Sequence, residues 1–348
     1  MSHDDPPRQR RVRYKGTHPR HYQEKYKELS PDSHADELEK VRARGHTPAG
    51  THRSICVAEI LEVLDPKPGE VALDATMGYG GHACEILPRL LPGGHLFGVD
   101  VDPLELPRAE ARLRSLGFGE DVLTVRRMNF AGVPRLKAES GGFDVVLADL
   151  GVSSMQIDNP ARGFTWKAEG PLDLRLNPRR GRSAADLLAT LDEGALADLL
   201  TENSDEPHAI AIARAIHGQT VRTTRDLADC VRAALRIVRL DDEETKKSLQ
   251  RTFQALRIAV NDELTVLDQF LSLLPSCLNP GARVAILTFH SGEDRRVKKA
   301  FLEGLRDGIY AEVAPEPIRA SPEERRSNPR STSAKLRWAR LPMEKAPR

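Results

Sequence analysis

The chain has 348 residues, 39% apolar and 30% charged, with 52 Lys+Arg against 51 Asp+Glu, a balance that excludes a wholly disordered chain and supplies enough apolar side chains for a core. No run approaches the roughly 20 apolar residues a bilayer-spanning helix needs, and the start, Met1-Ser2-His3-Asp4-Asp5-Pro6-Pro7, lacks the apolar stretch of a signal peptide, so a soluble, cytoplasmic protein without a membrane partner is expected. Cys56, Cys84, Cys230 and Cys277 form no C-x-x-C pair, which argues against a zinc knuckle or a disulfide framework and leaves buried free thiols as the expectation.

Residues 1–45 read as a basic N-terminal extension. Between Arg8 and Lys27 stand Arg8, Arg10, Arg11, Arg13, Lys15, Arg20, Lys25 and Lys27 against the single acid Glu24, interleaved with Tyr14, Tyr22 and Tyr26. Such an arm suits phosphates and unpaired bases, with a solvated terminus as the plainer reading. Further basic clusters lie at Arg175, Arg179, Arg180 and Arg182, over Arg295-Arg296-Val297-Lys298-Lys299, and between Arg319 and Arg340.

From about His46 the pattern alternates between β and α signals. Strands are expected at Val71–Asp74, His95–Asp100, Val122–Val125 and Phe143–Asp149, with helices at His82–Leu91 and Ala109–Leu116 between them. A helix carrying Leu264, Leu267, Leu271 and Leu274 and the breaker Asn279-Pro280-Gly281 precede a late strand, Arg283–Phe289. The alternation predicts a doubly wound, Rossmann-like α/β sheet. About 130 residues separate the fourth strand from the late one, far more than a crossover needs. Short helices expected over Ser183–Leu191, Glu193–Thr201, Ala209–Gly218 and Thr224–Val238, with Ser183 and Thr224 as N-caps, place a small all-helical insert at 157–250. The sheet domain then comprises 46–156 and 251–340.

Three strand ends carry the candidate chemistry. Asp74-Ala-Thr-Met-Gly78-Tyr-Gly80-Gly81-His82 leaves the first strand and opens a helix, where glycines let a ligand approach the backbone. A dinucleotide site or a structural turn would also use glycines. Asp100, at the end of the second strand, is placed to accept from both hydroxyls of a ribose. The turn is not G-x-G-x-x-G and holds no Arg or Lys for a pyrophosphate, which suits S-adenosylmethionine, a ligand with a ribose and an amino-acid tail. Phe130 follows the third strand and can meet an adenine ring or pack in the core. Asp149-Leu-Gly-Val-Ser-Ser-Met-Gln156 and His290-Ser-Gly-Glu-Asp-Arg295 follow the fourth and late strands in equivalent positions. His82, His290 and nearby acids show no metal-ligand spacing, and no metal is expected.

At these residues the chain resembles the bacterial 16S rRNA cytosine-N4 methyltransferase family, from His52 to about Arg340. The resemblance rests on Gly80-Gly81-His82, Asp149-Leu-Gly-Val-Ser-Ser, Arg162-Gly-Phe with Gly170-Pro-Leu-Asp-Leu-Arg175, Arg251-Thr-Phe-Gln-Ala-Leu-Arg-Ile258 and Phe289-His-Ser-x-Glu-Asp-Arg295. It implies a class I S-adenosylmethionine-dependent methyltransferase with an inserted helical domain, acting on a decoding-centre cytosine of 16S rRNA or the small ribosomal subunit. Cofactor contacts then fall on Gly80, Gly81, His82, Asp100, Phe130, Asp149 and Gln156, with Asp149 also the candidate acceptor for the N4–H. Arg175, Arg295, Arg330 and Lys335 are candidate RNA contacts. The family's usual Pro is Met155 here, its usual Leu is Gly292, and its Gly-Glu-Glu turn is Asn203-Ser-Asp-Glu-Pro207. These departures on the substrate side leave open a paralogue with another target, or an RNA-binding assembly factor without turnover. The oligomeric state stays open, a dimer among the options.

Overall fold

The computed structural model describes residues 54–343, so the basic arm, the expected domain start at His46 and His52 lie outside the described residues. Seven strands form one sheet in the order β3-β2-β1-β4-β5-β7-β6: β1 Val71–Asp74, β2 His95–Asp100, β3 Leu123–Arg127, β4 Phe143–Asp149, β5 Leu278–Thr288, β6 Glu312–Val313 and β7 Lys335–Arg340. β3, β2, β1, β4 and β5 are parallel, and β7 runs antiparallel between β5 and β6.

Period-two alternation explains why both faces are covered. Leu73, Phe97, Val99, Val146, Ala148, Val284 and Ile286 face one core, with Leu267, Phe270 and Leu271 of helix Glu263–Leu273 and Val297 and Phe301 of helix Ser291–Arg306. Ala72, Leu96, Val145, Leu147, Ala285 and Leu287 face the other, with helices Val57–Leu64, Gly81–Leu90 and Glu105–Ser115.

Between β4 and β5 the chain builds a third core around Leu172, Leu196, Leu200, Ile212, Leu227, Val231 and Phe253. Its helices are Ala184–Leu188, Glu193–Ser204, Ala209–Ile216, Thr224–Val238 and Asp242–Asn261. Residue 250 falls inside the last of these, whose Phe253, Ala255 and Leu256 still pack into this core.

Local chemistry corrects three sequence expectations. The N-cap of helix Thr224–Val238 is Thr223, whose hydroxyl accepts from the Asp226 N–H in a capping box; Thr224 is buried, and its Oγ1 donates to the Ala168 carbonyl and accepts from the Gly170 N–H. Asn279-Pro280-Gly281 does not precede the late strand but lies within β5. Its pairing with β4 jumps from Phe143↔Leu278 to Val145↔Arg283, so the proline sits in an irregularity where no ladder N–H is required. Of the four free cysteines, Cys56 and Cys277 are buried, while Cys84 and Cys230 are only partly so.

Candidate active site

The carboxyl ends of β1, β2 and β4 converge, as a parallel sheet requires of the loops that leave one edge. After β1, Met77 N–H donates to the Val99 carbonyl and Gly78 N–H donates to Asp100 Oδ2 at 2.8 Å, which ties the glycine turn to the end of β2. Gly80 takes φ 76°, open to glycine with little cost, and caps helix Gly81–Leu90; a Cβ on Gly81 would lie 2.0 Å from Ser54 Oγ. The turn is also held from outside, where Arg112 donates to the Tyr79 carbonyl at 2.8 Å and stacks over its ring.

Asp100 accepts from two backbone N–H groups, Gly78 on Oδ2 and Asp102 on Oδ1 at 2.9 Å. Burial pushes its carboxyl above the usual aspartate range, and these N–H donors hold the rise in check. Each oxygen keeps acceptor capacity, since a carboxylate offers about four lone-pair sites.

At the neighbouring strand ends stand Asp74, His82 and Asp149. Asp149 N–H donates to Thr76 Oγ1 at 2.6 Å, joining the tips of β1 and β4. His82 is 6% exposed, and its Nε2 lies 3.4 Å from Asp149 Oδ2. Neither His82 Nε2 nor Asp149 Oδ1, both buried atoms, has an aligned hydrogen-bond partner. Burial opposes the charged imidazole, but the Asp149 carboxylate beside it and the charge of Asp74 turn the net shift of His82 upward. Burial pushes Asp74 up to about 7, with His82 pulling against the rise.

Gln156 lies on the short helix Ser154–Asp158 and is buried. Its Oε1 accepts from Ser153 N–H at 2.8 Å, and its Nε2 donates to Asp102 Oδ2 at 2.7 Å, so the amide orients the loop after β2. Phe130 opens the turn that follows β3, half-buried, its ring edge-to-face with Phe270 at 5.1 Å. Gly80, Gly81, His82, Asp100, Asp149 and Gln156 are thus linked, directly or through one residue, into a single set, while Phe130 sits one strand away.

The four candidate RNA contacts do not gather. Arg175 is bidentate to Asp173, Arg295 reaches Asp205 at 3.3 Å, Arg330 reaches Asp158 at 2.7 Å, and Lys335, within β7, reaches Asp294 at 2.7 Å. Each already has a carboxylate partner. His290 caps helix Ser291–Arg306 and lies 3.1 Å from Glu293, a buried acid that serves the cap. Among the described residues one group has the geometry to hold a metal ion, Cys56, Glu59 and Glu324, and the charge of Glu324 reaches His82; burial pushes the Cys56 thiol up to about 12.

Two residues that matter here receive no role from the sequence: Asp102 is not singled out, and Arg162 is named only as part of a motif. Asp102 is fully buried and accepts from Gln156, from Arg162 Nη1 at 2.8 Å and from the N–H groups of Leu104 and Glu105. Arg162, 4% exposed, also donates to the carbonyls of Arg175 and Leu176. The signal was present as a second acid two residues beyond a strand end, followed by a helix that needs capping.

The sequence matches the MraW methylase family over residues 49–341. It is 55% identical over 346 residues to ribosomal RNA small subunit methyltransferase H 2 of Alkaliphilus metalliredigens, a match covering 97% of this chain and 99% of that protein. Ribosomal RNA small subunit methyltransferase H 1 of Lachnoclostridium phytofermentans is 53% identical over 96% of this chain and 93% of its own. Ribosomal RNA small subunit methyltransferase H of Halorhodospira halophila is 42% identical over 84% of this chain and 94% of its own. The first two matches therefore take in most of residues 1–45.

Proposed function

The chain belongs to the MraW methylase family, and on that premise we propose that it is an S-adenosylmethionine-dependent rRNA methyltransferase that modifies the exocyclic N4 of a cytosine in 16S rRNA. The observation that carries this reading is the convergence of the glycine turn, Asp100, His82 and Asp149 at one end of a Rossmann-like methyltransferase sheet.

The residues present fit the cofactor. Turn glycines with φ 50° at Gly78 and 76° at Gly80 leave backbone open to a ligand, Asp100 offers acceptors to a ribose diol, and the buried Asp149 Oδ1, without a hydrogen-bond partner, asks for one. Gly80, Gly81, His82, Asp100, Phe130, Asp149 and Gln156 would hold it, Gln156 chiefly through Asp102. When bound, S-adenosylmethionine supplies an electrophilic methyl on a sulfonium.

The protein's own contribution is orientation. The N4 lone pair is delocalised into the cytosine ring, so attack requires the amine to be turned and held in line. Asp149 can accept one N4–H and fix that geometry, and His82 beside it can share the proton the amine sheds after it is methylated. The base reaches such a crevice only when single-stranded or flipped.

A second reading concerns the target. Met155, Gly292 and Asn203–Pro207 lie outside the cofactor set, and the relatives sharing most of the N-terminal segment carry the numbers 1 and 2 in their names. A paralogue modifying another rRNA position accommodates both facts. Transfer of labelled methyl to total RNA tests the activity, and mapping N4-methylcytosine across 16S rRNA with and without the protein separates the targets. Absence of transfer to RNA or small subunits would leave an assembly factor.

A further inference from the structure

We propose that Arg179, Arg180 and Arg182 form an RNA-phosphate clamp on a loop held in register with the cofactor end of the sheet. The proposal rests on the rRNA methyltransferase reading and adds where the substrate backbone is gripped.

Residues 174–183, Leu-Arg-Leu-Asn-Pro-Arg-Arg-Gly-Arg-Ser, contain four arginines and no acid. Arg175 is neutralised by Asp173, and its side chain braces the loop by donating to the Gly181 carbonyl. Arg179, Arg180 and Arg182 are exposed, and among the described residues no carboxylate lies within ion-pair distance of any of them. Arg182 has only a long hydrogen bond to Thr190, 3.4 Å. Asp186, the acid nearest in sequence after the loop, spends its carboxylate on the Ser183 N–H and hydroxyl. Some basic side chains elsewhere are matched, as in Arg295–Asp205, Arg296–Asp268 and Arg337–Asp294, while others such as Lys298, Arg325 and Arg326 are exposed as well; the three here differ in sharing one short, braced loop.

The loop is not a loose tether. Leu174 takes φ 61°, a costly left-handed conformation for a branched side chain, and is fixed there because its N–H donates to the Arg162 carbonyl and its own carbonyl accepts from Asn261 Nδ2. Leu176 N–H donates to Asn261 Oδ1, and Arg162 Nη2 donates to the carbonyls of Arg175 and Leu176. Asn177 then turns the chain, accepting from the Arg179 N–H on its side chain and from the Arg180 N–H on its backbone. The other end of Arg162 donates to the Asp102 carboxylate, and the Asp102 backbone N–H donates to Asp100 Oδ1. From Leu176 to Arg180 is four residues, at most about 14 Å of chain. Three always-charged guanidiniums are therefore carried on a braced loop that starts at this anchor, Arg182 being six residues from Leu176, at most about 22 Å of chain, which suits gripping phosphodiesters near a flipped base.

The test is the triple variant Arg179→Gln, Arg180→Gln, Arg182→Gln in the full chain, with a single-stranded 16S rRNA decoding-region oligonucleotide, intact 16S rRNA and small ribosomal subunits as probes. Melting temperature and S-adenosylmethionine affinity should match the parent, because the exchanged side chains are solvent-facing. The slope of log K against log salt for the oligonucleotide should shrink in magnitude by about 2, three contacts at about 0.7 each. Methyl transfer should show a raised KM for RNA and an unchanged kcat. Unchanged slope and KM on all three probes would overturn the clamp, as would a loss confined to kcat, or a defect seen only with assembled subunits, which would assign the loop to a ribosomal protein. A parent protein that binds S-adenosylmethionine but methylates none of the probes would instead sink the methyltransferase reading, and the clamp with it.

Discussion

Arg162 Nη1 lies 2.8 Å from Asp102 Oδ2, and both side chains are buried. The pair joins the insert to the sheet, because Arg162 also holds the carbonyls of Arg175 and Leu176 while the Asp102 N–H donates to Asp100.

Arg162→Met should therefore destabilise the protein by about 3–5 kcal/mol, the usual cost of leaving one member of a buried pair uncompensated. Arg162→Lys should not rescue it, since an ammonium cannot span a carboxylate and two carbonyls as a planar fork does. Urea denaturation measures both. A loss under about 1 kcal/mol would mean that Gln156 and the helix-cap N–H groups suffice for Asp102.

Asp100→Ala should weaken S-adenosylmethionine binding by about 1–3 kcal/mol, roughly ten- to a hundredfold, because a charged acceptor is removed from the ribose position. The Gly78 and Asp102 N–H groups lose their acceptor as well, so the glycine turn loosens. Calorimetric affinity equal to the parent's would remove Asp100 from the cofactor site.

Asp74 gives stability a pH dependence of definite sign. Its carboxyl is pushed up to about 7 by burial, against an ordinary value of 3.8. Between these values the folded protein keeps a proton that the unfolded chain has released, so stability is greatest below the ordinary value and declines as pH rises toward about 7. His82, raised above its ordinary 6.5, acts in the same direction, its contribution present below that value and lost through its folded pKa. Asp74→Asn removes the first component, and melting temperatures compared at about pH 5 and pH 8 should differ less than in the parent. An equal difference would show that Asp74 ionises normally.

Gly170→Ala should cost about 1–3 kcal/mol through overpacking. Its Cβ would fall 1.9 Å from the Pro160 carbonyl oxygen, a backbone atom, in a loop already fixed by the exchange of hydrogen bonds between Gly170 and Thr224. Gly98→Ala is the contrast, since the obstacle there is the thioether of Met77, 2.4 Å from the new Cβ and able to move. Thermal melts of the two variants should rank in that order, and the reverse order would show that the Pro160 segment is the more yielding.

The parallel strands and the glycine turn were legible because their signals are local. Val71–Asp74, His95–Asp100 and Phe143–Asp149 are apolar runs bounded by breakers, and they fold where that pattern puts them. Ser183 likewise caps its helix as its sequence context suggests. The antiparallel edge was not legible: β7, Lys335-Leu-Arg-Trp-Ala-Arg340, reads as a basic surface segment until β5 pairs with it and Asp294 neutralises Lys335 and Arg337. The same holds for charge as a whole. Sequence counts guanidiniums, but only the fold decides which meet a carboxylate, and it pairs Arg175, Arg295, Arg330 and Lys335 while leaving Arg179, Arg180 and Arg182 to solvent. An aspartate beyond a strand end is visible in one dimension; that Asp102 binds an arginine 60 positions away is set by packing, because burial makes an unpaired charge too costly to tolerate.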